Sequence, residues 1–149
     1  MASTSETTGI LVVCHGSPSR AANEGFIAMV GRIAERLGMN HVLPAFYALV
    51  RPNLQDQIAE LASHGVDRIV VMPYFLFQGQ HVGVDIPNIL AQCHEWFPGV
   101  ALDLMPTLEN DLAVETIVVE RLMQESLLLS PTADRSPDPP DPNARPSLA

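Results

Sequence analysis

Short, unbroken apolar runs alternate along this chain with stretches whose apolar residues recur at helical spacing. The first run, Ile10-Leu11-Val12-Val13, is branched and continuous, as in a strand covered on both faces of a parallel sheet, and it stops at Cys14-His15-Gly16-Ser17. After a loop over 17–20, the residues Phe26, Met29, Val30, Ile33 and Leu37 share one helical face, and Gly38 ends that helix. A second strand over 42–48 contains Pro44, which cannot donate to a ladder and so points to an edge position. Pro52 suits the first turn of a helix on Leu54, Ile58 and Leu61, closed by Gly65. Ile69-Val70-Val71-Met72 is another unbroken strand, followed by the apolar Tyr74-Phe75-Leu76-Phe77 and a glycine-containing loop over 78–83. A third helix, with Asp85 as its cap and Pro87 in its first turn, carries Ile89, Leu90, Cys93 and Phe97 on its buried side. An alternating strand over 100–105 and a last helix on Val114, Ile117, Val118 and Leu122 complete the pattern.

Strands alternating with helices predict an α/β fold: a flavodoxin-like four-stranded parallel sheet in the order 2-1-3-4, with helices on both faces. That order places the two unbroken strands in the middle and the Pro-containing and alternating ones outside. The winding then reverses between strands 1 and 3, and a crevice opens beyond their carboxyl ends. The folded domain is expected over 9–129, after a flexible N-terminus, 1–8, and before a tail, 130–149, too rich in Pro, Asp and Ser to repay ordering.

Composition narrows the classes. With 149 residues the chain is about right for one domain. A net charge of −9 without basic patches argues against a general nucleic-acid or anionic-membrane role. There is no apolar stretch of about 18 residues and no basic start with an apolar signal core, so a soluble cytoplasmic protein is expected. Cys14 and Cys93 form no CxxC pair and read as free thiols.

Candidate chemistry rests with the five histidines, which the topology sorts by sheet edge. His41, His64 and His94 fall on the amino edge, where the last two stand at helix C-termini and have an ordinary electrostatic role. His15 and His81 follow strands 1 and 3 and converge at the carboxyl edge. A neutral imidazole binds borderline divalent metals and also accepts a proton near neutral pH. Two histidines in an apolar-walled cleft therefore suit insertion of a metal into a flat macrocycle with removal of its pyrrole protons, although they fix neither metal nor substrate. Cys14 alternates away from His15 and reads as packing.

These residues resemble the single-domain CbiX-type sirohydrochlorin chelatases of the class II chelatase family. The matching stretches are Leu11-Val12-Val13-Cys14-His15-Gly16-Ser17 with Ala22-Asn23-Glu24 and Phe26, then Ala45-Phe46 followed by Pro52. Most specific is the run from Arg68 through Pro73-Tyr74-Phe75-Leu76-Phe77 into Gly79-Gln80-His81-Val82 and Asp85-Ile86-Pro87. The resemblance covers roughly residues 9 to 125. It implies a homodimer that inserts cobalt(II), or iron(II) in siroheme-making members, into sirohydrochlorin, with His15 and His81 as the metal-binding and proton-accepting pair and no permanent cofactor.

One segment departs from the family. Where members commonly carry Phe-Leu-Glu after strand 2, this chain has Phe46-Tyr47-Ala48, so the glutamate is replaced by Ala48. The substrate's carboxylates call for local cations, and Arg20 and Arg51 lie in loops on the histidine edge. Ser17 either donates to substrate or caps the first helix. Tyr74, Phe75, Phe77 and Gly79 are the remaining candidates for substrate contact. Two rivals stand beside this reading. A histidine phosphatase also places His-Gly after its first strand, but it wants an arginine beside the histidine and here Cys14 precedes it. A metal or tetrapyrrole carrier that has lost turnover is compatible with Ala48.

Overall fold

The structure is a computed structural model that describes residues 7–126. The tail over 130–149, and all but Thr7 and Thr8 of the N-terminal segment, lie outside the described residues. The chain divides into two compact units, one ending at Glu109 and the other beginning at Asn110.

The first unit runs β1 (Thr8–Cys14), α1 (Arg20–Leu37), β2 (Val42–Phe46), α2 (Leu54–Ser63), β3 (Arg68–Pro73), a π turn (His81–Asp85) leading into α3 (Ile86–Trp96), and β4 (Ala101–Leu104). All strands are parallel, in the order β2-β1-β3-β4, as the apolar pattern predicts. Pro44 lies opposite Val12 on the edge strand, and its carbonyl takes a hydrogen bond of 2.6 Å from the amide of the buried Gln57.

Alternation along β1 divides the core into two layers. Leu11 and Val13 face Leu54, Ile58 and Leu61 of α2 and Ile86, Leu90 and Cys93 of α3, joined by Ile69 and Val71. Val12 faces the other way, against Phe26 and Val30 of α1 with Val42 and Phe46. Helices therefore cover both faces, which is why β1 and β3 read as unbroken apolar runs. In the second unit α4 (Leu112–Ser126) leaves Ile117, Val118 and Leu122 exposed, together with Leu112, Val119 and Met123.

Two caps differ from expectation. Helix α1 is capped by Ser19, whose hydroxyl accepts the Ala22 N–H at 3.3 Å; Ser17 instead accepts the Ser19 N–H at 3.1 Å, two residues too early to reach the helix. Asp85 caps nothing, because helical backbone already begins before it. Pro87 has no N–H and its ring would crowd the carbonyl four residues back in a regular α turn. The chain takes a wider turn there, closed from the Ile86 N–H to the His81 carbonyl.

Candidate functional site

Strands β1 and β3 finish at one rim: Val13 pairs with Pro73, and the Tyr74 N–H donates to the Val13 carbonyl at 2.7 Å. Cys14 packs on the α1 layer, where burial pushes its thiol above the ordinary value against a weaker opposing hydrogen bond from the Gly16 backbone. His15 therefore returns to the α2 and α3 side. There its ring centre lies 5.4 Å from that of His81, which stands on the first residue of the π turn. The pair expected from topology is in place.

Two imidazoles on one ion put each ring centre about 3.2 Å from the metal, so centres up to about 6.4 Å apart can share it. The observed spacing falls inside that bound. Each ring also has one nitrogen committed. His15 Nδ1 is 3.1 Å from the Gly16 carbonyl, and His81 Nδ1 is 2.8 Å from Asp85 Oδ2. Both partners accept only, so Nδ1 is the donor, and in the neutral ring Nε2 keeps its lone pair. Among the described residues no three His, Cys, Asp or Glu side chains are grouped to hold an ion.

Two more residues complete the constellation. Tyr47 follows β2, its backbone N–H bonded to the Cys14 carbonyl at 2.8 Å, and its ring lies 4.5 Å from His81 and 5.8 Å from His15. Its hydroxyl donates to Asp85 Oδ2 at 2.9 Å, the same oxygen that faces His81. These bonds hold the Asp85 carboxyl below its ordinary value, the one to His81 most and the one to Tyr47 next, with burial opposing. The same carboxylate, first through the hydrogen bond and then with burial and its charge, pushes the Tyr47 phenol up from 10.0.

The signs bound the window of this link. Asp85, depressed, favours folding above its unfolded value near 3.8 and loses that contribution as pH falls through its lower folded value. Tyr47, raised, contributes below 10.0 and loses it as pH climbs through its higher folded value. An ultraviolet phenolate titration, taken as wild type minus Tyr47→Phe, should thus show Tyr47 ionising above 10.0, and Asp85→Asn should bring it down. A Tyr47 transition at or below 10.0 in the wild type would contradict the bond.

Sequence reasoning missed both residues as site groups. An acid four positions after a histidine on a helical turn was the available signal for Asp85. Tyr47 is joined to it across 38 residues, and no local pattern encodes that.

The expected substrate contacts are more scattered. The Asn23 side chain clamps Ser17 by its backbone, accepting its N–H at 2.9 Å and donating to its carbonyl at 2.8 Å. Arg20 is paired with Glu24 and Arg51 with Asp56, each at 2.6 Å and largely exposed. Tyr74 sits 5.9 Å from Phe26, on the α1 side, and Phe75 packs partly into the α2 and α3 layer. Leu76 and Phe77 are exposed, as is Gly79, whose carbonyl accepts the Gly83 N–H at 2.9 Å. The remaining histidines keep structural places. His41 and His64 lie with ring centres 6.0 Å apart, His64 Nδ1 is 3.8 Å from Glu60, and His94 Nδ1 is 3.4 Å from the Val100 carbonyl.

Comparison with known proteins bears on this arrangement. The CbiX family model matches residues 9–125. The chain is 34% identical over 96 residues to the chloroplastic sirohydrochlorin ferrochelatase of Arabidopsis thaliana, covering 64% of this chain and 43% of that protein. It is 38% identical over 82 residues to the sirohydrochlorin cobaltochelatase of Methanothermobacter thermautotrophicus, covering 55% and 57%. With the cobaltochelatase of Sulfurisphaera tokodaii it shares 29% over 124 residues, covering 83% and 97%. The chain thus spans about half the length of the first two relatives and nearly all of the third. Among solved structures, SirB from Bacillus subtilis with Fe3+ superimposes with a TM-score of 0.75 at 22% identity, over 79% of this chain and 47% of that one. A CbiX protein from Marinobacter aquaeolei VT8 gives 0.64 at 24% identity, over 80% and 98%. These structures speak to the fold, whereas the sequence match runs from β1 through most of α4: the chain belongs to the CbiX family.

Proposed function

We propose that this protein inserts a divalent metal, cobalt(II) foremost, into sirohydrochlorin, with His15 and His81 holding the incoming ion and accepting the pyrrole protons. The observation that carries the reading is the facing pair of imidazoles, each with Nδ1 set against an oxygen acceptor so that Nε2 is the nitrogen left for an ion. Two protein ligands leave several coordination positions open. Such a site holds an ion loosely enough to pass it to macrocycle nitrogens, and an imidazole relieved of metal is a base of suitable strength for the displaced proton. The metal is a substrate of this reaction. Cobalt(II) is preferred because the relative of matching length is named a cobaltochelatase; iron(II) is the alternative, since the Arabidopsis relative is named a ferrochelatase.

The exposed apolar residues Leu49, Leu76 and Phe77 belong to the segments that follow β2 and β3. They supply apolar surface for a flat tetrapyrrole and for a second copy of the chain, so a homodimer is part of the proposal. Arg20 and Arg51 would exchange Glu24 and Asp56 for the substrate's carboxylates.

The test mixes purified protein with sirohydrochlorin and cobalt(II) or iron(II) under anaerobic conditions and follows absorption as metal enters. Insertion faster than in a protein-free control is the expected result, with cobalt(II) ahead of iron(II). A bound-state spectrum without acceleration would make the protein a carrier and end the enzymatic reading. Gel filtration should give a dimer.

A further inference from the structure

The side chain of Asp85 serves neither the helix it begins nor the core. It stands in helical backbone at the head of α3 without capping it, and its Oδ2 receives two hydrogen bonds from different parts of the fold. One comes from His81, four residues earlier on the π turn. The other comes from Tyr47, beyond the end of β2. A carboxylate bonded only to its own helical turn swings with its side-chain torsions, and a second bond from a separate segment removes that freedom.

His81 is consequently fixed in three ways. Its carbonyl closes the π turn onto the Ile86 N–H, its Nδ1 faces Asp85, and its ring lies 4.5 Å from that of Tyr47. An ionised carboxylate can only accept, so Nδ1 must donate and Nε2 is left as the ligand atom. A free neutral histidine side chain carries its proton mostly on Nε2, which blocks that atom. Resting on the metal-inserting reading above, the geometry points to Asp85 and Tyr47 as positioning residues of the reaction: Tyr47 braces Asp85, and Asp85 holds His81 in the tautomer that offers Nε2 to an ion shared with His15.

The role has a readout that needs no turnover. Long-range proton–nitrogen NMR of histidine-labelled full-length protein, at pH about 8.5 where an ordinary imidazole is neutral, reports which ring nitrogen of His81 carries the proton. Wild type should show Nδ1–H. Asp85→Ala should move the proton toward Nε2, and Asp85→Asn, which keeps the shape but can turn its NH2 toward Nδ1, should do the same. Cobalt(II) affinity, titrated on the same samples, should fall about 10–100-fold in Asp85→Ala, with a comparable loss of kcat and an unchanged KM for sirohydrochlorin. Tyr47→Phe keeps the ring and removes the bond, so its losses run in the same direction but reach only a few-fold.

The proposal is overturned if wild-type His81 carries its proton on Nε2. It is overturned equally if Asp85→Ala shifts the tautomer without weakening cobalt(II) binding, or changes neither. Should Asp85→Ala fail to fold, Asp85→Asn decides by the same criteria. A wild-type protein that binds cobalt(II) and metallates no sirohydrochlorin would sink the proposed function, while tautomer and affinity would still decide the positioning role.

Discussion

Replacing His15 by alanine, or His81 by alanine, should each lower the rate of cobalt(II) insertion into sirohydrochlorin by at least about 100-fold. The two rings face one another at 5.4 Å, and no third His, Cys, Asp or Glu among the described residues joins them to make a metal site, so the loss of either leaves a single imidazole. Residues that act as one unit are not additive, and the double variant should be little worse than either single one. Alanine at His41, His64 or His94 should change the rate less than about twofold, since those side chains sit at the opposite edge of the sheet. Both candidate rings are exposed, so melting temperatures of the His15 and His81 variants should correspond to changes within about 1 kcal/mol. Initial rates at saturating tetrapyrrole, followed by absorption, make the comparison. Equal losses from all five substitutions would refute the assignment of chemistry to one edge.

The meeting of His15 and His81 at one rim is legible in the sequence because it depends on topology, which apolar patterning encodes well. Residues 10–13 and 69–72 read as doubly covered strands and are the central pair; Pro44 and the alternating Leu102 and Leu104 mark the two edges. Once β1 and β3 are neighbours and parallel, the residues that follow them meet at one rim. The details of the site were less legible, for reasons specific to each residue. Asp85 precedes Ile86-Pro87, the very context of a helix cap, yet helical backbone already begins before it and its side chain meets His81 four residues back. Ser17 and Ser19 are equally good caps by type, and the choice was made by Asn23, which holds the Ser17 backbone in the preceding loop. Tyr74 belongs to the apolar run near His81, yet strand alternation carries it to Phe26 on the far layer. Tyr47 reaches Asp85 through space alone.

Gly16→Ala should damage stability and rate together, although it removes no functional group. Gly16 has φ +91°, in the left-handed region, where an alanine is strained by about 1–3 kcal/mol. Its added Cβ would also lie 2.3 Å from the Ala48 carbonyl oxygen and 3.3 Å from Val50 Cγ2. That oxygen cannot simply retreat, because the Ala48 N–H donates to the His15 carbonyl at 2.9 Å and the Tyr47 N–H to the Cys14 carbonyl at 2.8 Å. Relieving the clash means parting the loop that carries His15 from the segment that carries Tyr47, so stability and geometry fail together. A loss of about 3 kcal/mol, seen as a melting temperature lower by on the order of 10 °C, is expected. A displacement of about 1 Å at His15 can remove a further large part of the rate. Gly31→Ala in α1 is the matched control: its Cβ meets nothing within 4 Å, and the helix should gain about 0.5–1 kcal/mol. If Gly16→Ala melts with the wild type and inserts metal as fast, then the two loops do not share one fixed arrangement, and the rigid frame required for facing imidazoles is absent.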